Sequence, residues 1–437
     1  VPNFGGRTCP VGDLDFYLNG HLNALTSPNK GNLIGLGTAP EGVENNEVVY
    51  EIIADAAWST SHKDIREWLR NYTVNRYGAC PDAIMEFWDK MLASDYGFCS
   101  SRAQYRVQEK PFDGLGGRYS VSKTHFEALE AFVAASDELG SDSAYLTDLA
   151  LWAGIYAFGK ADVLAQQIHR AYLVGDKDTA SSLEARFVDL MYRADRLLDL
   201  NPVTRLERWV GFAREWGKDS VESDKYETNA KRLVTTWGRG RRADGLDDYS
   251  CRMWSGLIRD YYLPRWQHWF DSCKEGKPFD FDAWEYKWAE ESHGVSDFTH
   301  CTDPVAEARS LVAAAHDIGT NPDELPGWTS FDMTDGSTRV IRMIAPEDYP
   351  LLKGLRFTWR RGEDPVKLKL VQINAAGWVR FKKDDIGIEI SRENPVVEIP
   401  VDLKVKNGET FQFNYLHIVL DETKKMTDSQ VTIEYVK

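Results

Sequence analysis

The spacing of apolar residues changes once along this chain, and the change fixes what each part can fold into. From about residue 60 to 318 they return every three or four positions. Leu183, Phe187, Leu190, Met191, Ala194 and Leu198 make one stripe, and Leu206, Trp209, Val210 and Ala213 another. A stripe of this kind lies on one helix face and is buried against other helices, so the region predicts a large all-α domain. Turn residues at Gly140-Ser-Asp, Gly175-Asp, Asn201-Pro202, Gly217-Lys-Asp and Gly238 divide it into antiparallel helices of ordinary length. Pro264, inside the pattern Leu257 to Phe270, predicts a kink or an ending, because proline has no N–H to donate. Beyond the linker-like stretch 319–327 the period becomes two. Ile386, Ile388 and Ile390, then Phe411, Phe413 and Tyr415, then Val431, Ile433 and Tyr435 alternate with other residues. Short alternating strands with turns such as Asn407-Gly408 predict a C-terminal antiparallel β-sandwich over 328–437.

The first 60 residues follow neither pattern. A short apolar run, Leu33-Ile-Gly-Leu36, reads as a buried strand ending at Glu41-Gly42. Asn45 or Asn46 then caps a helix through Val48, Val49, Ile52, Ile53 and Ala57. A strand, loop and helix with a carboxylate at the strand's carboxyl end is the unit found at the active face of a (β/α)8 barrel. Val1-Pro2-Asn3-Phe4 carries neither an initiator Met nor a signal region, so the start reads as a cut into a longer polypeptide. One such unit does not make a barrel; together with the family resemblance that the motifs below carry, it implies a multidomain chain: a C-terminal remnant of a (β/α)8 barrel over 1–60, an all-α helical domain over 61–318 and the β-sandwich. One strand cannot close a barrel. Its open edge predicts cover from an upstream part of the same protein or from another copy.

Composition removes several function classes. A net charge of −16 argues against nucleic acid as a partner, and the run Arg239-Gly-Arg241-Arg242 reads as a solvated loop. The six cysteines show no Cys-x-x-Cys spacing, so no metal and no cofactor is implied. Cys80 and Cys99 are near enough in sequence for a local disulfide, although buried thiols are the simpler reading. Asn71-Tyr-Thr73 is a lone glycosylation sequon, and no window of 18 apolar residues exists to span a membrane. The 15 Trp and 19 Tyr exceed ordinary usage. Aromatic faces suit sugar rings, yet most of these rings belong in cores, Trp254, Trp266 and Trp269 among them. Trp328, Trp359 and Trp378 are candidates for an exposed platform on the β-domain.

Several words in the sequence occur together. Asn3-Phe-Gly-Gly6, Gly37-Thr-Ala-Pro-Glu41-Gly42 and Asn46-Glu47-Val-Val-Tyr50 come first. Tyr226-Glu-Thr-Asn229, Thr236-Trp237-Gly238, Asp248-Tyr249 with Trp254-Ser-Gly256-Leu257, and Asp260-Tyr-Tyr262-Leu-Pro264-Arg265-Trp266 follow in order. On these words the chain resembles glycoside hydrolase family 89, the α-N-acetylglucosaminidases, over roughly residues 1 to 300. The resemblance implies that Glu41 is the catalytic nucleophile at the end of the last barrel strand, and that Asn3 and Phe4 stand in the loop after the preceding one. It also implies that the helical domain brings Trp237 and Tyr249 to the sugar. Departures from the family pattern at Arg7, at Tyr119 and along Tyr145-Leu-Thr-Asp148 bear on substrate preference.

The implied reaction is retaining exo-hydrolysis of terminal α-linked N-acetylglucosamine from glycans, and the linkage requires a protein nucleophile. In the α-anomer the 2-acetamido group lies on the leaving group's face and cannot attack from behind. A carboxylate must do so, with a second carboxyl about 5 Å away as acid and then base. The helix N-terminus behind Glu41 favours its ionised form. In the family the acid belongs to an earlier barrel strand, so it is expected in a missing upstream segment. Asp13 and Asp15 read as poor substitutes, and Glu47 as a first-turn helix acid or a partner for an arginine. The alternative is a non-catalytic carbohydrate-binding or scaffold protein of the same descent. The resemblance implies a secreted, periplasmic or lysosomal location.

Overall fold

The computed structural model describes residues 8–42, 47–98, 105–111, 122–237, 247–277, 279–291, 294, 300–319, 329–332, 338–344, 349–359, 365–375, 378–403, 414–420 and 431–437. They fall into two compact units, one reaching residue 319 and one from 329 onward. Asn3, Phe4, Cys99, Tyr119, Trp328, Phe411, Phe413 and the basic run at 239–242 lie outside the described residues.

The first unit opens with a two-residue strand, β1 (Gly12–Asp13), paired antiparallel with β2 (Gly97–Phe98). Helix α1 (Leu14–Thr26) follows at once, with Asp13 accepting the Phe16 N–H as its N-cap. The run 33–36, expected as a strand, forms none: Ile34 is 95 % exposed, and Leu33 and Leu36 are also open to solvent. A strand's N–H and C=O groups are satisfied by its neighbours, and among the described residues none runs beside this one.

Helices α2 (Glu47–Ala57), α3 (Ile65–Tyr77), α4 (Asp82–Leu92), α5 (Lys123–Ala134) and α6 (Ser136–Leu139) come next. The long hairpin of α7 (Ser143–Val174) and α8 (Lys177–Leu198) then forms the spine of the unit. The stripe read from the sequence is its seam, with Phe187, Leu190, Met191, Ala194 and Leu198 all buried. At 32 residues α7 fills the whole interval between the turns at Gly140-Ser-Asp and Gly175-Asp, longer than the ordinary length expected, and Gly154 sits inside it without breaking it. A Cβ there would stand 3.1 Å from the Leu198 side chain, so glycine lets the two helices close up. Asp142 caps α7 by accepting the Tyr145 N–H at 2.8 Å, and Gly175 ends it in the left-handed conformation. Asp142→Ala is expected to lower stability by about 1 kcal/mol in a denaturant titration; an unchanged midpoint would mean the cap is dispensable.

After α9 (Leu206–Arg214) and α10 (Ser220–Val234), the chain reaches α11 (Leu263–Glu275) through one wide π-turn, Ile258–Tyr262. Pro264 stands in the first turn of α11, directly after the π-turn, so the regular hydrogen-bond pattern is interrupted just ahead of it. Helices α12 (Phe281–Glu291) and α13 (Pro304–Ala315) complete the unit. Trp254 and Trp266 are buried, and Trp269 is half-buried. Cys9, Cys80, Cys251, Cys273 and Cys301 are thiols rather than halves of a disulfide. The sequon lies inside α3, where the Thr73 hydroxyl is buried and accepts the Trp88 Nε1–H.

The second unit is two antiparallel sheets. One runs β10-β5-β8, with β5 Gly354–Trp359, β8 Val396–Pro400 and β10 Val431–Val436. The other runs β3-β4-β9-β6-β7, with β3 Thr329–Asp332, β4 Thr338–Ile344, β6 Val366–Ala375, β7 Trp378–Ile390 and β9 Asn414–Leu420. Both contribute to one apolar core, with Phe357, Ile399 and Ile433 from the first and Leu368, Ile373, Ile390 and Ile418 from the second. Trp359 is not an open platform: it packs on this core, with the Arg392 guanidinium 5.4 Å over its ring.

Candidate active site

Glu41 ends the irregular segment that follows α1, and two phenols fix it. Tyr50, one turn into α2, donates to the Gly42 carbonyl at 2.6 Å and so ties the Glu41-Gly42 backbone to that helix. Tyr249 donates to Glu41 Oε2 at 2.6 Å from 208 positions further along the chain. A hydroxyl this close to a carboxylate makes a charge-assisted hydrogen bond that orients it. The Trp237 and Tyr249 rings meet nearly at right angles, with centroids 5.4 Å apart and planes at 83°. Three of the five residues expected at the site are thus gathered in one place, and Asn3 and Phe4 lie outside the described residues.

The backbone here is strained. Among the described residues only Trp237, Asp248 and Cys251 have positive φ without being glycine, at 59°, 56° and 40°. Such conformations are disfavoured by Cβ sterics and persist where surrounding contacts over-determine them. Those contacts are present. The Trp237 N–H bonds to the Arg232 carbonyl at 2.6 Å, which turns the chain sharply off α10, and the Asp248 N–H bonds to Thr235 O at 2.8 Å. Ser250 Oγ donates to Val234 O at 3.1 Å, so the Tyr249 loop is laced to the end of the helix that delivers Trp237.

Other acids have structural duties. Asp13 caps α1, and Asp15 accepts from the Asn19 amide at 3.0 Å. Glu47 stands in the first turn of α2, near Arg76 and Asp148. Burial, and then the Asp148 charge, push its carboxyl above the usual range. Glu47 and Asp148 line a cavity of ≈ 20 Å³, room for about one water. Asp148 itself takes a two-pronged hydrogen bond from Arg76, at 2.5 and 2.7 Å, and the Tyr77 hydroxyl at 2.6 Å. Among the described residues no group of three His, Cys, Asp or Glu side chains could hold a metal ion, and no helix is long and apolar enough to cross a membrane.

Asp248 and Arg265, quoted above only as letters in a motif, are buried partners beneath Tyr249. Their separation of 17 residues across an irregular loop and a π-turn gives no periodic signal of contact.

Comparison with known proteins gives the family. The family model of the α-N-acetylglucosaminidase (NAGLU) C-terminal domain matches residues 68–314, and that of the NAGLU tim-barrel domain matches residues 1–60. Human α-N-acetylglucosaminidase is 28 % identical over 291 residues, which is 63 % of this chain and 38 % of that protein. A family 89 glycoside hydrolase from Clostridium perfringens, solved with 2-acetamido-1,2-dideoxynojirmycin, superposes with a TM-score of 0.65 at 26 % identity. The match covers 72 % of this chain and 38 % of that one. A Clostridium perfringens variant with two glutamates replaced by glutamine, solved with its substrate GlcNAc-α-1,4-galactose, matches with the same score, identity and coverage. The chain therefore spans well under half the length of these relatives. With the first model matching more than half of its residues, the chain belongs to the α-N-acetylglucosaminidase family, glycoside hydrolase family 89, and corresponds to the carboxyl-terminal portion of its members.

Proposed function

We propose that this chain supplies the nucleophile and the helical-domain wall of a retaining exo-hydrolase that removes terminal α-linked N-acetylglucosamine from glycans. The observation that carries the proposal is the Tyr249 hydrogen bond to Glu41, flanked by Trp237. Tyr249 orients the carboxylate for the attack. An oxygen of Glu41 bonds to the anomeric carbon from the face opposite the leaving group, as the glycosidic C–O bond breaks and a carboxylic acid protonates the departing oxygen. The acid, now a carboxylate, takes a proton from water, whose oxygen displaces Glu41 and restores the α-configuration. The Trp237 ring helps to exclude water from the oxocarbenium-like transition state.

The acid comes from the remainder of the barrel, supplied by another part of the protein or by a partner chain. In this reading residues 1–60 end a (β/α)8 barrel, 61–318 form the helical domain and 328–437 an ancillary β-sandwich. The other barrel strands lie along the exposed run 33–36, and the groove of ≈ 410 Å³ lined by Phe16, Leu25, Leu33, Leu36 and Ile53 receives apolar side chains from them. A secreted, periplasmic or lysosomal location fits a glycan substrate.

The test is hydrolysis of an aryl α-N-acetylglucosaminide by this chain alone and together with a polypeptide carrying the rest of the barrel. Turnover is expected only with both, giving first the α-anomer of the free sugar by NMR. A β-anomer product would exclude the double displacement, and tight sugar binding without turnover in the assembled protein would favour a binding scaffold instead.

A further inference from the structure

Below Tyr249 lies a set of buried charges that the proposed reaction does not touch. Arg265, on α11, is fully buried. Its Nη1 donates to both oxygens of Asp248, at 3.0 and 2.8 Å, to Glu285 Oε1 at 2.9 Å and to the Tyr261 hydroxyl at 3.2 Å. Its Nη2 donates to the Gln108 carbonyl at 2.9 Å. Gln108 then reaches to the other side of Tyr249, its Nε2 donating to the Cys251 carbonyl at 2.6 Å. Lys110 adds its backbone N–H to Asp248 Oδ2 at 3.1 Å, while its Nζ lies 2.7 Å from Asp282 and 3.2 Å from Glu285.

These contacts grip residues 248 and 251, the two strained positions that bracket Tyr249. We propose that Arg265 is a positioning residue: through Asp248 directly, and through Gln108 to Cys251, it holds the strained loop that sets Tyr249 against Glu41. The inference rests on the reading of Glu41 and Tyr249 as catalytic partners. Stability alone is a poor reason for such a cluster, since removing paired charges from water cancels most of what their attraction gains, whereas a cluster that permits one loop geometry confers specificity. A backbone held at positive φ without glycine needs that kind of over-determination.

The decisive experiment is a double-mutant cycle on the assembled enzyme, reading kcat and KM for an aryl α-N-acetylglucosaminide. Tyr249→Phe, Asp248→Asn and Arg265→Lys are each expected to lower kcat by ~10–100-fold, the scale seen when a group that orients a reactive residue is lost, with KM moving far less. Each double variant with Tyr249→Phe is expected to be no slower than the slower single, because the two changes remove one effect. Multiplying losses would overturn the positioning role and leave the site reading intact. A fully active Tyr249→Phe would instead remove the reading on which the inference stands.

A second measurement needs no substitution in the cluster. With fluorotyrosine at position 249 of the otherwise wild-type full chain, the fluorine resonance is expected to shift with a midpoint near pH 6, as Asp248 takes up a proton beside Arg265, Lys110, Glu285, Tyr261 and Tyr262. Burial, more than the Glu285 charge, pushes Asp248 up to about 6. A resonance unchanged between pH 5 and pH 7 would overturn the coupling, even if the variants fail to fold.

Discussion

Glu41→Gln is expected to lower kcat of the assembled enzyme by on the order of 10⁴-fold or more, the scale of loss when a covalent nucleophile is removed, while the melting temperature stays where it was. Glutamine has nearly the same shape, and its carbonyl oxygen can still accept the Tyr249 hydroxyl, so the loop geometry survives. An amide oxygen, however, forms no stable ester with the anomeric carbon, and the first displacement fails. Glu41 is exposed to solvent, so its replacement falls among surface changes worth about 0.5 kcal/mol or less. That separation of activity from stability distinguishes a nucleophile from a structural acid. Glu41→Gly with added azide sharpens the test. Azide enters from the face that Glu41 held, bonds to the anomeric carbon as the protonated aglycone leaves, and yields the β-glycosyl azide. A Glu41→Gln enzyme within tenfold of wild type, or an α-azide product, would remove Glu41 from the proposed role.

The anchoring of the Glu41 segment was legible in the sequence because its neighbours form a word: Tyr50 lies in the motif at a fixed distance and is the residue that ties the Gly42 backbone. The helical unit was legible for local reasons. Asp142, Asp176 and Asp219 each cap the helix that follows them, and Gly175 ends α7 in a conformation glycine tolerates. These features need only near neighbours. The run 33–36 was misread for the opposite reason, since its apolar composition fits a strand but the hydrogen bonds that make one come from other segments. The grip of Arg265 on Asp248 was likewise out of reach. It depends on where a π-turn ahead of Pro264 points a side chain, and nothing in Asp248 announces a positive φ as glycine would. What the fold adds to the sequence at this site is the layer beneath Glu41 and Tyr249.

The thermal stability of the helical unit is expected to fall by on the order of 5 kcal/mol between pH 5 and pH 7.5, or roughly 8 °C in melting temperature for a unit of this size. The cause is a set of buried carboxyls that give up their protons at higher pH in the fold than in the unfolded chain. Asp162, buried on α7 and accepting the Arg106 and Val107 N–H groups at 2.8 Å each, is pushed up to about 7 by burial. Burial likewise pushes Asp195 up to about 6 against the opposing pull of Arg259, and Asp248 up to about 6 against Arg265. All three start from 3.8, so between pH 4 and pH 7 the folded chain holds protons that the unfolded chain has released. Their contribution is complete below the unfolded value and is lost as pH rises through the folded one. Glu227 runs the other way: Lys231, Arg214 and the Gly294 N–H outweigh its burial and hold its carboxyl low, so its contribution is lost in acid and sets the lower flank of the curve. His268, lowered by burial, trims the gain on the acid side without reversing it. Asp162→Asn is the sharpest check, because it removes the group with the largest displacement and should flatten the slope between pH 5 and pH 7.5 by about half. A melting temperature that climbs steadily through pH 7.5, or an Asp162→Asn chain with the wild-type slope, would show that these carboxyls are ionised and solvated in the fold and that the loop under Tyr249 is looser than its hydrogen bonds imply.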